Sequence, residues 1–144
     1  MNTLKIVLAL FALSIGGTMP ALAQVVANSP EAAYIPNNMK PYFLVLLVDG
    51  DKPLDTLGKD ERGALSIRHL AFIRAQVEAG TIVLVGPILG QGRIRGMAVM
   101  KASSIEEATK IEQGDPMIQR GFAKSEIHPI MLEDLSGIKF EYPR

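Results

Sequence analysis

The chain has no cysteine and no tryptophan among its 144 residues. Without cysteine there is no disulfide and no thiolate, so a stapled scaffold and a cysteine nucleophile are both excluded. The apolar core must hold the fold alone. Three tyrosines and five phenylalanines are too few for a platform that stacks bases or sugars. Charge of one sign is also missing, because 15 basic and 15 acidic residues balance to a formal net charge of zero. No long-range field then recruits nucleic acid or an anionic membrane. Only two histidines occur, His69 and His128. They lack metal-ligand spacing and no cysteine assists them, so no metal site is expected.

What is present begins with a leader. Lys5 precedes the unbroken apolar run from Ile6 to Leu13, which gives way to Gly16-Gly17, Pro20 and Ala21-Leu22-Ala23. That succession is a signal peptide over residues 1–23, with cleavage expected before Gln24 and a periplasmic or secreted product. The apolar run is too short for an uncleaved anchor, since a spanning helix needs roughly 20 such residues. Lys5 is the only charged residue of the leader. Residues 24–39 hold Asn28-Ser29-Pro30 and Pro36-Asn37-Asn38 and read as a flexible arm. Residues 40–144 form one domain, long enough to bury a core.

Within that domain, Tyr42 to Val48 is continuously apolar and ends at Asp49-Gly50-Asp51. Such a run reads as a strand covered on both faces. Asp60 to Ala79 has helical spacing, with Leu70, Ile73 and Val77 as one stripe, Leu65 and Phe72 widening it, and Gly80 as its stop. Thr81 to Val85 is a second strand ended by Gly86-Pro87, and Ile94 to Lys101 a third. Gly90-Gln91-Gly92 between them is a turn and not a phosphate loop, because no helix follows. Ser103 with Glu106 reads as a capping box, opening a second helix from Ser104 to about Gln113. Ser125 to Glu133 is a fourth strand, and Pro129 inside it belongs at a sheet edge.

The order is therefore βαββαβ, a ferredoxin-like α+β fold with a four-stranded antiparallel sheet and both helices on one face. Two helices cover only one side of a strand that is apolar on both. A second copy of the sheet resolves this, giving a homodimer with an apolar interior, the dimeric α/β barrel.

His69 lies at the margin of the helix stripe. It reads either as a structural histidine bonded to a backbone carbonyl or as a general acid/base whose tautomer a carboxylate fixes. Asp115 precedes Pro116 at a helix end, and reads either as that partner or as a turn or capping residue. Gly86 and Pro87 end a strand and could shape a pocket rim. Arg93 and Arg95 open the third strand, as a solvated hairpin or a carboxylate clamp, with Arg93 taken to the rim. Met97 and Met100 fill the core or barrel. His128 beside Pro129 reads as an exposed or structural histidine.

From Tyr42 to Leu132 the chain resembles the YciI-like (YCII-related) family. The resemblance rests on His69-Leu70, Gly80, Val85-Gly86-Pro87, Ser104-Ile105-Glu106-Glu107-Ala108 and Gly114-Asp115-Pro116 with Gly121. It implies a dimeric α/β barrel and a His-Asp dyad in a cleft, mapped here onto His69 and Asp115. It further implies a cofactor-independent lyase- or isomerase-type enzyme acting on a small organic acid. A leader and an N-terminal arm depart from the family pattern. A non-catalytic periplasmic or stress-associated protein holding an apolar small molecule is the other reading, and haem ligated by His69 a third.

Overall fold

The structure is a computed structural model and describes residues 28–137. The expected leader, the first residues of the arm and residues 138–144 lie outside that range. A single turn of 3-10 helix, Pro30–Tyr34, occupies the arm, and β1 begins at Met39, one residue before the expected domain start.

The described elements are β1 (Met39–Asp49), α1 (Lys59–Glu78), β2 (Ile82–Pro87), β3 (Ile94–Met100), α2 (Ile105–Glu112), the four-residue α3 (Pro116–Gln119) and β4 (Ala123–Glu133). The sheet runs β2-β3-β1-β4 and every pairing is antiparallel. This is the ferredoxin-like α+β arrangement, with β4 at an edge as Pro129 requires. Among the described residues no helix is long and apolar enough to cross a membrane.

Alternation along β1 divides the apolar run between two faces. Phe43 and Val45 face the helices and pack with Ala98 and Met100 of β3, Ile82 of β2, Ile73 of α1 and Ala108 of α2. Phe43, Leu65, Ile82 and Met100 are completely enclosed, each stabilising the fold by about 1.5–3 kcal/mol. The opposite face carries Leu44 and Leu46 of β1, Met97 and Val99 of β3, Leu84 of β2 and Ile130 of β4. Leu44, Leu46 and Met97 are only half-buried there, and Leu84 is exposed.

Three expectations shift in detail. The buried line of α1 runs Leu65, His69, Phe72-Ile73 and Gln76-Val77, at the i, i+4, i+7 spacing of one helix face. His69 therefore lies within the stripe, and Leu70 falls beside it, 47% exposed. The capping box of α2 sits one residue later than Ser103 and Glu106 suggest. Ser104 is the N-cap and accepts from the Glu107 amide at 3.2 Å, while the Glu107 carboxylate reaches back to the Ser103 amide at 2.6 Å. Finally, β4 starts at Ala123, two residues early.

Two helices end alike. At α1 the left-handed Gly80 (φ 73°) lets its own amide reach Val77 and the Thr81 amide reach Gln76. At α3, Gly121 (φ 80°) does the same toward Ile118, with Phe122 bonding Met117. Both are Schellman motifs, in which a glycine accepts the positive φ at no steric cost. Gly50 has a different reason: a Cβ there would lie 2.3 Å from the Gly121 carbonyl oxygen. Its amide bonds Phe122, and that of Lys52 bonds Gly121. The end of β1 is thus tied to the turn that leads from α3 into β4.

Candidate active site

Three elements bring the candidate residues together. His69 projects from the third turn of α1 toward the sheet. Asp115 follows α2 and caps α3, where its Oδ1 accepts the Met117 amide at 2.8 Å. Its other oxygen, Oδ2, lies 2.6 Å from His69 Nδ1. The Asp115 side chain is 1% exposed and that of His69 17%. Capping and pairing thus use different oxygens of one carboxylate. The cap locks the Asp115 rotamer, and the locked carboxylate fixes the imidazole. A carboxylate at Nδ1 holds the proton there and leaves Nε2 for a bound molecule.

The pair borders a cavity of about 400 Å³ between α1 and the sheet. Val45, Leu47, Ile73, Val85 and Ala98 make it apolar, while His69, Asp115 and Glu112 bring polar groups to it. Gly86 and Pro87 are among the residues that line it. A size and composition of this kind suit a small organic molecule. A second, more polar space of about 740 Å³ adjoins it, and Leu47, His69 and Arg95 border both.

Arg93 is absent from the residues lining either cavity. Its guanidinium is bidentate to Glu126 of β4, at 2.7 and 3.1 Å. Arg95 is the arginine that borders the cavity. The β1–β3 register jumps from Leu47↔Gly96 to Val48↔Ile94, so Arg95 is the unmatched residue of a bulge. A bulge breaks the alternation that would put residues two apart on one face, and re-aims the side chain. Arg95 is held by Asp49 through bonds of 2.6 and 2.9 Å, and this partner pulls the Asp49 carboxyl below its usual range. His128 is exposed on β4 opposite Leu44. Met100 is in the core, and Met97 pairs across from Leu46 on the helix-free face.

Glu112 carried no weight in the sequence. It ends α2 and is 4% exposed. Burial, reinforced by the neighbouring Asp115 charge and opposed by His69, pushes its carboxyl up to about 7. The available signal was its spacing of four from Ala108, which puts a charged residue on the core face of a helix.

Fold and cavity together define a small α+β protein with a buried carboxylate–imidazole pair open to an apolar pocket. The YCII-related domain matches residues 42–131, and the chain belongs to that family. No protein of curated function matches it. Among solved structures it is similar to a 5-chloro-2-hydroxyhydroquinone dehydrochlorinase from Burkholderia phenoliruptrix AC1100, in complex with 2,5-dihydroxybenzoquinone. That similarity has 24% identity and a TM-score of 0.46, over 60% of this chain and 90% of the other.

Proposed function

We propose that this protein is a cofactor-independent enzyme of the lyase or isomerase type, moving a proton on a small organic acid with His69 as base and Asp115 as its orienting partner. The observation that carries this reading is the 2.6 Å contact between His69 Nδ1 and Asp115 Oδ2 at the wall of an apolar cavity. A histidine serving only the fold can be satisfied by a backbone carbonyl, whereas this one takes a buried carboxylate. A proton-transfer site needs one, because the carboxylate both selects the tautomer and stabilises the imidazolium formed when Nε2 takes a proton. Arg95 at the cavity border is held by Asp49 through Nε and Nη2, which leaves Nη1 to meet the acid group of the substrate.

Phenylpyruvate is a suitable probe, being a small aromatic acid whose enol becomes the ketone by moving one proton. Wild-type protein should speed that ketonisation, and His69→Asn should lose about 10²-fold or more of the effect. Asparagine keeps a donor toward Asp115 but has no base. Saturable binding of the probe by both proteins, with turnover by neither, would favour the non-catalytic binding protein instead.

The reading includes export and self-association. Residues 1–23 have the succession of a cleaved leader. The half-buried Leu44, Leu46 and Met97, with exposed Leu84 beside them, form a face that a second copy would cover. Intact-mass analysis of the exported protein should give a chain beginning at Gln24, and light scattering twice that mass. A full-length chain in the membrane contradicts export, and a compact monomer contradicts the dimer.

A further inference from the structure

A carboxyl group sits where the core stripe of α2 calls for an aliphatic side chain. Ala108 and Glu112 are one turn apart and both buried. A carboxylate in that position loses its hydration, whereas leucine would pack there without penalty. Nor is Glu112 merely enclosed, since it borders the same cavity as His69 and Asp115. The ionisable groups that face it are His69 from α1 and Asp115 at the cap of α3. Arg95 borders the cavity from β3, but its guanidinium is engaged by Asp49.

We propose that Glu112 is a second proton-exchanging residue of this cavity, acting opposite His69 on one bound carbon acid. The proposal rests on the reading of His69 as a base. For the phenylpyruvate enol the step balances without oxidant, reductant or metal. His69 Nε2 takes the enol O–H proton, and the oxygen's bonding pair closes the C=O. The C=C pair takes the proton of the Glu112 carboxyl at C3. The product is the keto acid, leaving imidazolium and carboxylate, and one proton returned from His69 to Glu112 through water resets both. Asp115 takes no proton, since its two oxygens are spent on the His69 ring and the Met117 amide. Burial supports the assignment, because a carboxyl held near 7 keeps about half of its acid form at neutral pH, and a proton donor is most effective with a pKa near the working pH.

The test is the pH dependence of phenylpyruvate ketonisation by the mature protein and its Glu112→Gln and Glu112→Asp variants. Glutamine is nearly isosteric and cannot donate a carboxyl proton. We expect Glu112→Gln to lower kcat by about 10²-fold or more with KM little changed. The wild-type fall in kcat/KM as pH rises through about 7 should also disappear. Glu112→Asp should recover part of kcat and keep an alkaline limb, which a purely structural role would not restore. Full kcat in Glu112→Gln, with the limb intact and His69→Asn inactive, overturns this proposal and leaves the His69 reading standing. A wild-type protein inert toward the probe removes that reading, and this one with it.

Discussion

Replacing Asp115 with asparagine should leave the protein folded and nearly inactive, whereas alanine at the same position should damage both fold and activity. The difference follows from the two oxygens of the carboxylate. Oδ1 caps α3 through the Met117 amide and Oδ2 holds His69 Nδ1. Asparagine caps helices about as well as aspartate, so Asp115→Asn keeps the turn that carries the side chain. It removes the negative charge, and its amide can face the ring as a donor, which favours the tautomer with Nε2 protonated. That nitrogen is then no longer a base. Turnover should fall by about 10²–10⁴-fold, the usual worth of a general base. The midpoint of urea unfolding should change little. Asp115→Ala loses the cap, worth about 1 kcal/mol, and leaves a part-buried ring nitrogen unpartnered for a further ~1–3 kcal/mol. Nitrogen NMR of the imidazole reads the tautomer directly. Equal activity in Asp115→Asn and wild type would reduce Asp115 to a capping residue.

The second large effect concerns stability against pH. In the folded protein Glu112 releases its proton at about 7, against 4.5 for the unfolded chain. Between these values the native state holds a proton that the unfolded state has lost. Stability from this group is therefore fully present below about pH 4.5, falls as pH rises, and is lost above about pH 7. The whole loss is at most ~3 kcal/mol. Glutamine is neutral throughout. Glu112→Gln should match wild type near pH 4 and exceed it by up to ~3 kcal/mol above neutrality. Carboxylates such as Asp49 and Glu107, held below their usual range by Arg95 and Ser103, give slopes of opposite sign. They contribute equally to both proteins, so the difference between urea-unfolding curves isolates Glu112. Parallel curves would show that the Glu112 carboxylate is solvated.

The fold was legible because its signals are local. A strand apolar on both faces, a helix stopped by Gly80, and a proline in the last strand each point to one place in one topology. The pairing of His69 with Asp115 was legible only as a choice between roles. The structure shows why the sequence left that choice open: the cap and the contact with His69 use different oxygens, so one does not exclude the other. Arg95 was legible only together with Arg93, as a hairpin or clamp residue, because alternation places both on one face; a bulge opposite Leu47 and Val48 overrides alternation and brings Arg95 without Arg93 to the cavity. Glu112 was missed because helix ends usually expose their charges. Its burial depends on how α2 meets α1 and the sheet, a tertiary fact that spacing from Ala108 only hints at. The capping box moved by one residue because Ser103 and Ser104 are both competent caps, and which one serves depends on where the helix begins.

Deuterium incorporation tests the central claim most directly, because it reads proton transfer at carbon. Keto phenylpyruvate is incubated in D₂O with the mature protein, and loss of the C3 proton signal is followed by proton NMR. Wild-type protein should exchange C3 well above the buffer rate. His69→Asn, folded and at equal concentration, should exchange it at the buffer rate. In this direction His69 protonates the ketone oxygen as C3 loses its proton, so equal exchange by the two proteins would contradict the part assigned to His69 in the proton transfer.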